Sequence, residues 1–225
     1  MNILALETST ELASIALCWQ GQTVLRRLNS PPAHSATLLP AIRELLAEFN
    51  ATLSALDRIA CGVGPGAFTG VRLACSVAQG LALGADLPVV PVNSLLALAE
   101  GAEADSVYCA MDARMNEAYV AAYRRVAGQW QEVIAPACVS PDLLPLPPEG
   151  DWQGVGMAFS AYPAALERLR ACVNVQNAAA LPLADSVLRL AVDLPGCDPA
   201  LLAPLYVRDR VAQTVAERLA SGGRA

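Results

Sequence analysis

The chain has 225 residues, of which 55% are hydrophobic and 16% charged, and its formal net charge is −6. The length fits one large domain or two small lobes, and the apolar content excludes a disordered chain. All 15 basic residues are arginines, which excludes P-loop hydrolases, protein kinases and Schiff-base enzymes, because each of them needs a lysine.

The first hundred residues predict elements in the order βββαβαβα. Strands over residues 2–6, 13–19 and 23–28 are separated by short polar turns, and this pattern predicts an antiparallel meander. An amphipathic helix follows, because apolar residues recur there every three or four positions. These residues are Leu38, Leu39, Ile42, Leu45, Leu46 and Phe49.

A glycine-rich segment separates a buried strand, residues 58–63, from a second helix over residues 71–85. The second helix has few polar residues, and a helix that is apolar nearly all round is normally buried on all sides. A strand over residues 87–92 and a short helix over residues 94–100 complete the first half.

The second half begins in the same way as the first. Strands over residues 106–111, 118–125 and 129–135 predict a second meander. A glycine turn at residues 154–156 and a helix over residues 158–171 are expected after it.

An acidic residue ends the first strand of each meander: Glu7 in the first half and Asp112 in the second. The repeated order of strands, acid and turns predicts an internal duplication. We therefore expect an α/β fold with two lobes, residues 1–104 and 105–225, and a cleft between them.

The strongest local signal is GVGPGAFTGVR, residues 62–72. Gly64, Gly66 and Gly70 allow a close backbone approach, and a helix that begins here offers free N–H groups to an anion. A dinucleotide-binding G-x-G-x-x-G fingerprint is excluded, because Thr69 stands where its third glycine is needed. Phosphate binding and a structural turn both remain open, and the residues slightly favour the structural turn.

Thiols and imidazoles give little support for catalysis. The cysteines are spread singly without a C-x-x-C pair, which favours free thiols in a reducing compartment. His34 is the only histidine, so an H-E-x-x-H zinc site is excluded and no metal site is predicted. A serine hydrolase is disfavoured because the chain lacks a G-x-S-x-G elbow, and His34 is interpreted as a loop residue near a helix start.

The location of the protein is expected to be cytoplasmic. The N-terminus lacks the basic and apolar regions of a signal peptide. The most apolar stretch, residues 71–92, contains Arg72, Gln79, Asp86 and Pro88, which argues against a membrane-spanning segment. The acidic balance argues against strong binding of nucleic acid by this chain alone.

The glycine-rich segment resembles the GPGSFTGxR signature of the TsaB (YeaZ) family. The resemblance covers most of the chain, although Glu7 stands where relatives usually have Asp, and Ala67 stands where Ser is common. Further matching segments are ILALETST at residues 3–10, His34-Ser35, MDAR at residues 111–114 and LYVR at residues 205–208.

This resemblance implies an α/β fold of the actin-like class (ASKHA, ribonuclease H-like) with duplicated βββαβα lobes. It also implies a non-catalytic scaffold or activator of the bacterial complex that transfers a threonylcarbamoyl group to adenosine 37 of tRNA. The implied partners are a TsaD-like catalytic subunit, a TsaE-like ATPase and, for the isolated chain, a second copy. The tRNA would be bound only through the complex, and no cofactor is implied.

The resemblance places the partner interface on the first two helices. The residues themselves leave this open, because both helices could simply cover the sheet of the first lobe. The interface residues implied are Leu38, Leu39, Ile42, Leu45, Leu46, Arg72, Cys75, Ser76, Gln79 and Gly80.

A remnant of a nucleotide site is the other implied feature, at Glu7, Thr8, Ser9 and Asp112. The alternative function is a stand-alone ATP-dependent small-molecule kinase of the same fold, which would need Glu7 and Asp112 across the cleft. Magnesium tolerates little displacement of its ligands, so the extra methylene of Glu7 disfavours this function. The other interpretation is that Glu7 and Asp112 are turn residues inherited from an ancestral site.

Overall fold

The computed structural model describes residues 1–28 and 34–208. The first sheet contains β1 (Ile3–Glu7), β2 (Ala13–Trp19), β3 (Gln22–Leu28), β4 (Arg58–Gly62) and β5 (Val89–Val92). The second sheet contains β6 (Ser106–Arg114), β7 (Glu117–Val126), β8 (Gln129–Val139), β9 (Trp152–Val155) and β10 (Val173–Asn177). The α-helices are α1 (His34–Glu48), α2 (Phe68–Ala85), α3 (Ser94–Glu100), α4 (Ala158–Ala161) and α5 (Ala184–Leu190).

Both sheets have the same strand order. The first runs β3-β2-β1-β4-β5 and the second runs β8-β7-β6-β9-β10. In each, three antiparallel strands form the meander and two further strands are added in parallel. The predicted two-lobed α/β fold with a duplicated meander is confirmed.

The later part of the second lobe differs from the prediction. Residues 154–156, predicted as a glycine turn, overlap the end of β9, and β10 was not predicted at all. A Cβ on Gly154 would lie 2.7 Å from Val173 Cγ1, so this strand needs a glycine for its close contact with β10. Short strands with an internal glycine give little periodic signal.

The prediction of one helix over residues 158–171 is also wrong. Helix α4 ends at Ala161, and a separate 3-10 helix covers Glu167–Ala171. The break follows from Pro163, because the residue before a proline is disfavoured in the helical conformation. Tyr162, which precedes it, has φ −130° and ψ 53°.

Helices α1 and α2 cover one face of the first sheet, and their inward side chains join Leu4 and Leu6 of β1 in one core. Helix α5 covers the opposite face of this sheet although it belongs to the second half of the sequence. Helix α3, from the first half, contributes Leu95 and Leu98 to the core of the second sheet. The division at residues 104 and 105 stays a proposal.

Helix α2 is, within residues 1–28 and 34–208, the one helix long and apolar enough to cross a membrane by length and composition alone. Its side chains Val71, Ala74 and Ala78 are buried against the first sheet. This contact explains the apolar residues on the inner side of α2, because a helix that covers a sheet needs an apolar inner face.

Substitutions on α1 distinguish its buried side from its exposed side. Leu45 is 0% exposed and Leu39 is 49% exposed. Leu45→Ala should lower the free energy of unfolding by about 3 kcal/mol, because it leaves a cavity in the core. Leu39→Ala, the matched control, should change it by less than about 0.5 kcal/mol. Urea denaturation of both variants measures the difference, and equal effects would contradict this assignment of faces.

Candidate functional site

The carboxylate of Glu7 lies in the interior at the end of β1, with 0% exposure. Its Oε1 accepts a hydrogen bond from the Ser9 backbone N–H at 2.6 Å, and its Oε2 accepts one from Ser94 Oγ at 2.9 Å. Burial raises the pKa of Glu7, and the hydrogen bonds from Ser9, Ser94 and Thr8 partly oppose this effect. A Cβ on Gly62 would lie 1.9 Å from Glu7 Oε2, so only glycine leaves room for the carboxylate.

The glycine turn lies against the β1–β2 turn. Thr8 Oγ1 donates a hydrogen bond to the Gly70 carbonyl at 2.6 Å, and the Ala67 N–H donates one to the Ser9 carbonyl at 2.7 Å. A Cβ on Gly66 would lie 2.4 Å from the Ser9 carbonyl oxygen. A Cβ on Gly70 would lie 1.9 Å from the Thr8 carbonyl oxygen. These glycines therefore permit close contact between two backbone segments.

A cleft of about 860 Å³ lies beside the glycine turn, between the lobes. Asp112 lines it, and its Oδ1 accepts hydrogen bonds from the Arg114 N–H at 2.8 Å and from Tyr162 Oη at 2.7 Å. Burial, with the hydrogen bond to Asp112, raises the pKa of Tyr162 to about 12. The cleft is lined by Ser9–Glu11, Pro65–Leu73, Ser76, Met111–Arg114, Tyr119, Met157, Leu181 and Leu205–Arg208.

The predicted nucleotide-site residues are only partly brought together. Ser9 and Asp112 line this cleft, whereas Glu7 and Thr8 lie behind it. Over residues 1–28 and 34–208, no group of three or more His, Cys, Asp or Glu side chains is arranged to hold a metal ion. A larger crevice of about 1370 Å³ contains none of the residues predicted for a site.

Two aromatic side chains and a guanidinium stack at the mouth of the cleft. The Arg72 guanidinium lies 3.4 Å from the Phe68 ring centroid and 5.6 Å from that of Tyr206, and its Nε donates to Tyr206 Oη at 2.8 Å. Phe68 is 46% exposed and Tyr206 is 54% exposed. The sequence marked these residues in two separate segments, residues 62–72 and 205–208, but no local pattern relates Tyr206 to a helix so distant along the chain.

The residues predicted for the partner interface divide between the core and the surface. Leu38, Ile42, Leu45 and Cys75 are buried in the first lobe, and Leu46 is half-buried there.

The exposed members of the predicted interface are Leu39 of α1 and Arg72, Ser76 and Gly80 of α2. Gln79 is half-buried, and its Nε2 donates a hydrogen bond to the Pro199 carbonyl at 2.7 Å. The four buried members are therefore core residues, and the predicted interface as a whole stays a prediction. Helix α1 begins at His34, whose side chain lies outside the described structure.

The outer face of α2 carries small residues. Ser76, Gly80 and Gly84 are exposed, and a Cβ added at either glycine would meet no atom within 4 Å. Leu83 lies beside them and is 58% exposed. The backbone of α2 is therefore open to a close approach by another helix.

The family model for TsaD, tRNA N6-adenosine threonylcarbamoyltransferase, matches residues 29–203 of this chain. A relative from Escherichia coli (strain K12), the tRNA threonylcarbamoyladenosine biosynthesis protein TsaB, is 36% identical over 225 residues, which cover 94% of this chain and 96% of that protein. The chain belongs to the TsaB family. The TsaB of Haemophilus influenzae is 41% identical over 154 residues, which cover 63% of this chain and 65% of that protein.

Solved structures agree with membership in the TsaB family. A Pseudomonas aeruginosa protein described as similar to peptidase YeaZ has 36% sequence identity and a TM-score of 0.84, covering 92% of this chain and 99% of that one. A structure described as YeaZ from the same organism has 35% identity and a TM-score of 0.80, covering 91% of this chain and 99% of that one. This chain therefore shares its fold with both structures over the matched 92% and 91% of its length.

Two glycines of α2 provide a matched test of the turn. Gly70→Ala should lower the free energy of unfolding by about 2 kcal/mol, because the new Cβ would collide with the Thr8 carbonyl. Gly80→Ala should raise it by about 0.5–1 kcal/mol, because its site is open and alanine favours the helix. Chemical denaturation measures both values. A Gly70→Ala variant as stable as Gly80→Ala would contradict the close contact.

The buried carboxyl predicts a pH dependence. Between its ordinary value of 4.5 and its raised folded-state pKa, Glu7 is protonated in the folded state and ionised in the unfolded chain. Stability should therefore fall as the pH rises through this window, and Glu7→Gln should remove that decline. Melting temperatures of both proteins from pH 4 upward measure this, with the exposed Glu11→Gln as control. Parallel curves for wild type and Glu7→Gln would contradict it.

Proposed function

We propose that this TsaB-family chain is a non-catalytic subunit of the bacterial complex that forms threonylcarbamoyladenosine at position 37 of tRNA. It would act as a scaffold or activator for a TsaD-like catalytic subunit, together with a TsaE-like ATPase. The names of the TsaB relatives support the pathway. The match to the TsaD family model supports a partnership between two homologous folds.

The observation that carries the proposal is the outer face of α2. An exposed helix with Ser76, Gly80 and Gly84 in a row allows another helix to come within backbone contact distance, and the exposed Leu83 adds apolar area beside it. A catalytic homologue could pair with this helix through its own corresponding surface. The same face would serve a homodimer when the catalytic subunit is absent.

The chemistry of the cleft supports a non-catalytic role. The carboxylate of Glu7 already accepts hydrogen bonds from Ser9 and Ser94, and burial disfavours its ionised form. Asp112 is paired with the guanidinium of Arg114 at 3.1 Å. A magnesium nucleotide requires carboxylate oxygens that are free to bind the ion or its water shell. These contacts at Glu7 and Asp112 favour a non-catalytic role over ATP turnover at the remnant nucleotide site of Glu7, Thr8, Ser9 and Asp112.

The charge of the chain supports indirect binding of tRNA. With a net charge of −6, the surface as a whole repels a polyphosphate, so the partners would supply the positive charge. The proposed place of action is the cytoplasm, where tRNA is modified.

The second candidate is a stand-alone ATP-dependent small-molecule kinase. The cleft of about 860 Å³ favours it, because Ser9, Asp112 and the start of α2 meet there. This kinase would need nucleotide affinity that depends on Asp112 and Glu7.

A transfer assay tests the proposed function. Unmodified tRNA is incubated with threonylcarbamoyl-AMP, ATP and the cognate TsaD-like and TsaE-like proteins, with and without this chain. We expect transfer only when the chain is present, and no ATP hydrolysis or tRNA modification by the chain alone. Equal transfer without it would refute the scaffold function and make the kinase the leading candidate.

Surface substitutions locate the interface. Ser76→Glu and Gly80→Glu should each weaken association with the TsaD-like partner at least about tenfold, because each places an unpaired charge in the contact. Gln131→Glu, on an exposed position of β8, adds the same charge elsewhere and should have no effect. Calorimetric titration measures affinity and circular dichroism verifies the fold. Leu45 lies in the core and is unsuitable for this test.

A further inference from the structure

Residues 197–208, here called the strap, run from the first lobe to the second. At the first lobe, the Cys197 N–H donates to the Val89 carbonyl at 2.8 Å, and the Leu205 N–H donates to the Val63 carbonyl at 2.7 Å. Gln79 and Arg72 of α2 bind the strap at Pro199 and Tyr206. This part of the strap is therefore hydrogen-bonded to α2 at two positions, Arg72 and Gln79.

The far end of the strap is held by Arg208. Its Nη2 donates to the Ala113 carbonyl at 2.8 Å and forms an ion pair with Glu117 at 2.6 Å, so it contacts both sides of the β6–β7 turn. The guanidinium also lies 5.9 Å from the ring centroid of Tyr119. Val207 packs against the core of the second sheet, and Arg208 adds the polar contacts to the second lobe.

The β6–β7 turn that Arg208 contacts has positive φ angles at non-glycine residues. Arg114, Met115 and Asn116 are consecutive non-glycine residues with φ values of 60°, 55° and 57°. Side chains disfavour this left-handed region, and such conformations persist only where surrounding contacts hold them. The pairing of Arg114 with Glu117 in the β6–β7 ladder closes this hairpin turn, and the two contacts from Arg208 add to that restraint from across the cleft.

The strap also forms one wall of the cleft, through Leu205, Tyr206, Val207 and Arg208. The glycine turn of the first lobe and residues 111–114 of the second form the neighbouring walls. We propose that the strap is a clamp that closes one edge of this cleft, with Arg208 as the anchor whose release lets that edge open, while α3 and α5 keep the lobes joined. The clamp goes beyond the proposed function, because it requires no partner.

Two variants each remove one partner of the ion pair between Arg208 and Glu117. Arg208→Gln removes the guanidinium, and Glu117→Gln removes its carboxylate partner while leaving the strap unchanged. Glu167→Gln is the matched control, because it breaks an exposed ion pair with Arg170 that does not involve the strap. All measurements use the full chain without partners.

Residue-resolved amide hydrogen exchange measures how often the strap opens. Small-angle scattering measures the radius of gyration, which depends on the separation of the lobes. We expect Arg208→Gln to accelerate exchange of the Leu205 amide about tenfold, the scale for losing a charge-assisted bond. Glu117→Gln should act in the same direction, and the Cys197 amide should be unchanged. The radius of gyration should increase above the roughly 17 Å of a compact chain. The control should match wild type.

Three results would overturn the clamp. In the first, Leu205 exchange stays within about twofold of wild type in both variants. In the second, all amides accelerate together, which indicates global destabilisation and not release of the strap. In the third, Leu205 exchange rises while the radius of gyration stays constant, which makes residues 197–208 a peripheral segment that does not hold the cleft closed.

Discussion

Three parts of the chain meet at the carboxylate of Glu7. It ends β1, accepts a hydrogen bond from Ser94 at the start of α3, and lies against Gly62 at the end of β4. Ser94 Oγ in turn accepts a hydrogen bond from the Gly64 N–H. A buried carboxyl without such partners would be costly, so sheet, glycine turn and α3 are held in one arrangement. Because α3 leads into β6, this junction also sets where the second lobe begins.

The same junction determines the direction of α2. The glycine turn is fixed on the β1–β2 turn, and α2 starts directly after it. From that start, the helix buries Ala74 and Ala78 on the sheet and leaves Ser76 and Gly80 outward. Its apolar sequence thus has two causes. One side belongs to the core, and the other is a small-residue surface that we propose for the partner.

Local patterns predicted the parts of the fold that depend on local physics. Both meanders, α2 and α3 were recovered because alternation, turn residues and helical spacing are visible in short windows. Strands β9 and β10 were missed because each is short and stabilised by its neighbours, as Gly154 shows. The contacts of Arg72 with Tyr206 depend on tertiary structure, and no window of sequence contains both. Helical periodicity also could not predict that Leu45 is buried and Leu39 exposed. It identifies the apolar face of a helix but not which part of that face is covered by the sheet.

The two acids show how a duplicated fold can keep its topology while its halves diverge. Glu7 and Asp112 end equivalent strands, but Glu7 is enclosed by backbone and serine donors, whereas Asp112 faces the cleft and pairs with Arg114 and Tyr162. A shared cation would need both carboxylates directed at one point, and here each already has its own partners. The strap adds a second constraint, because Arg208 bonds the β6–β7 turn next to Asp112.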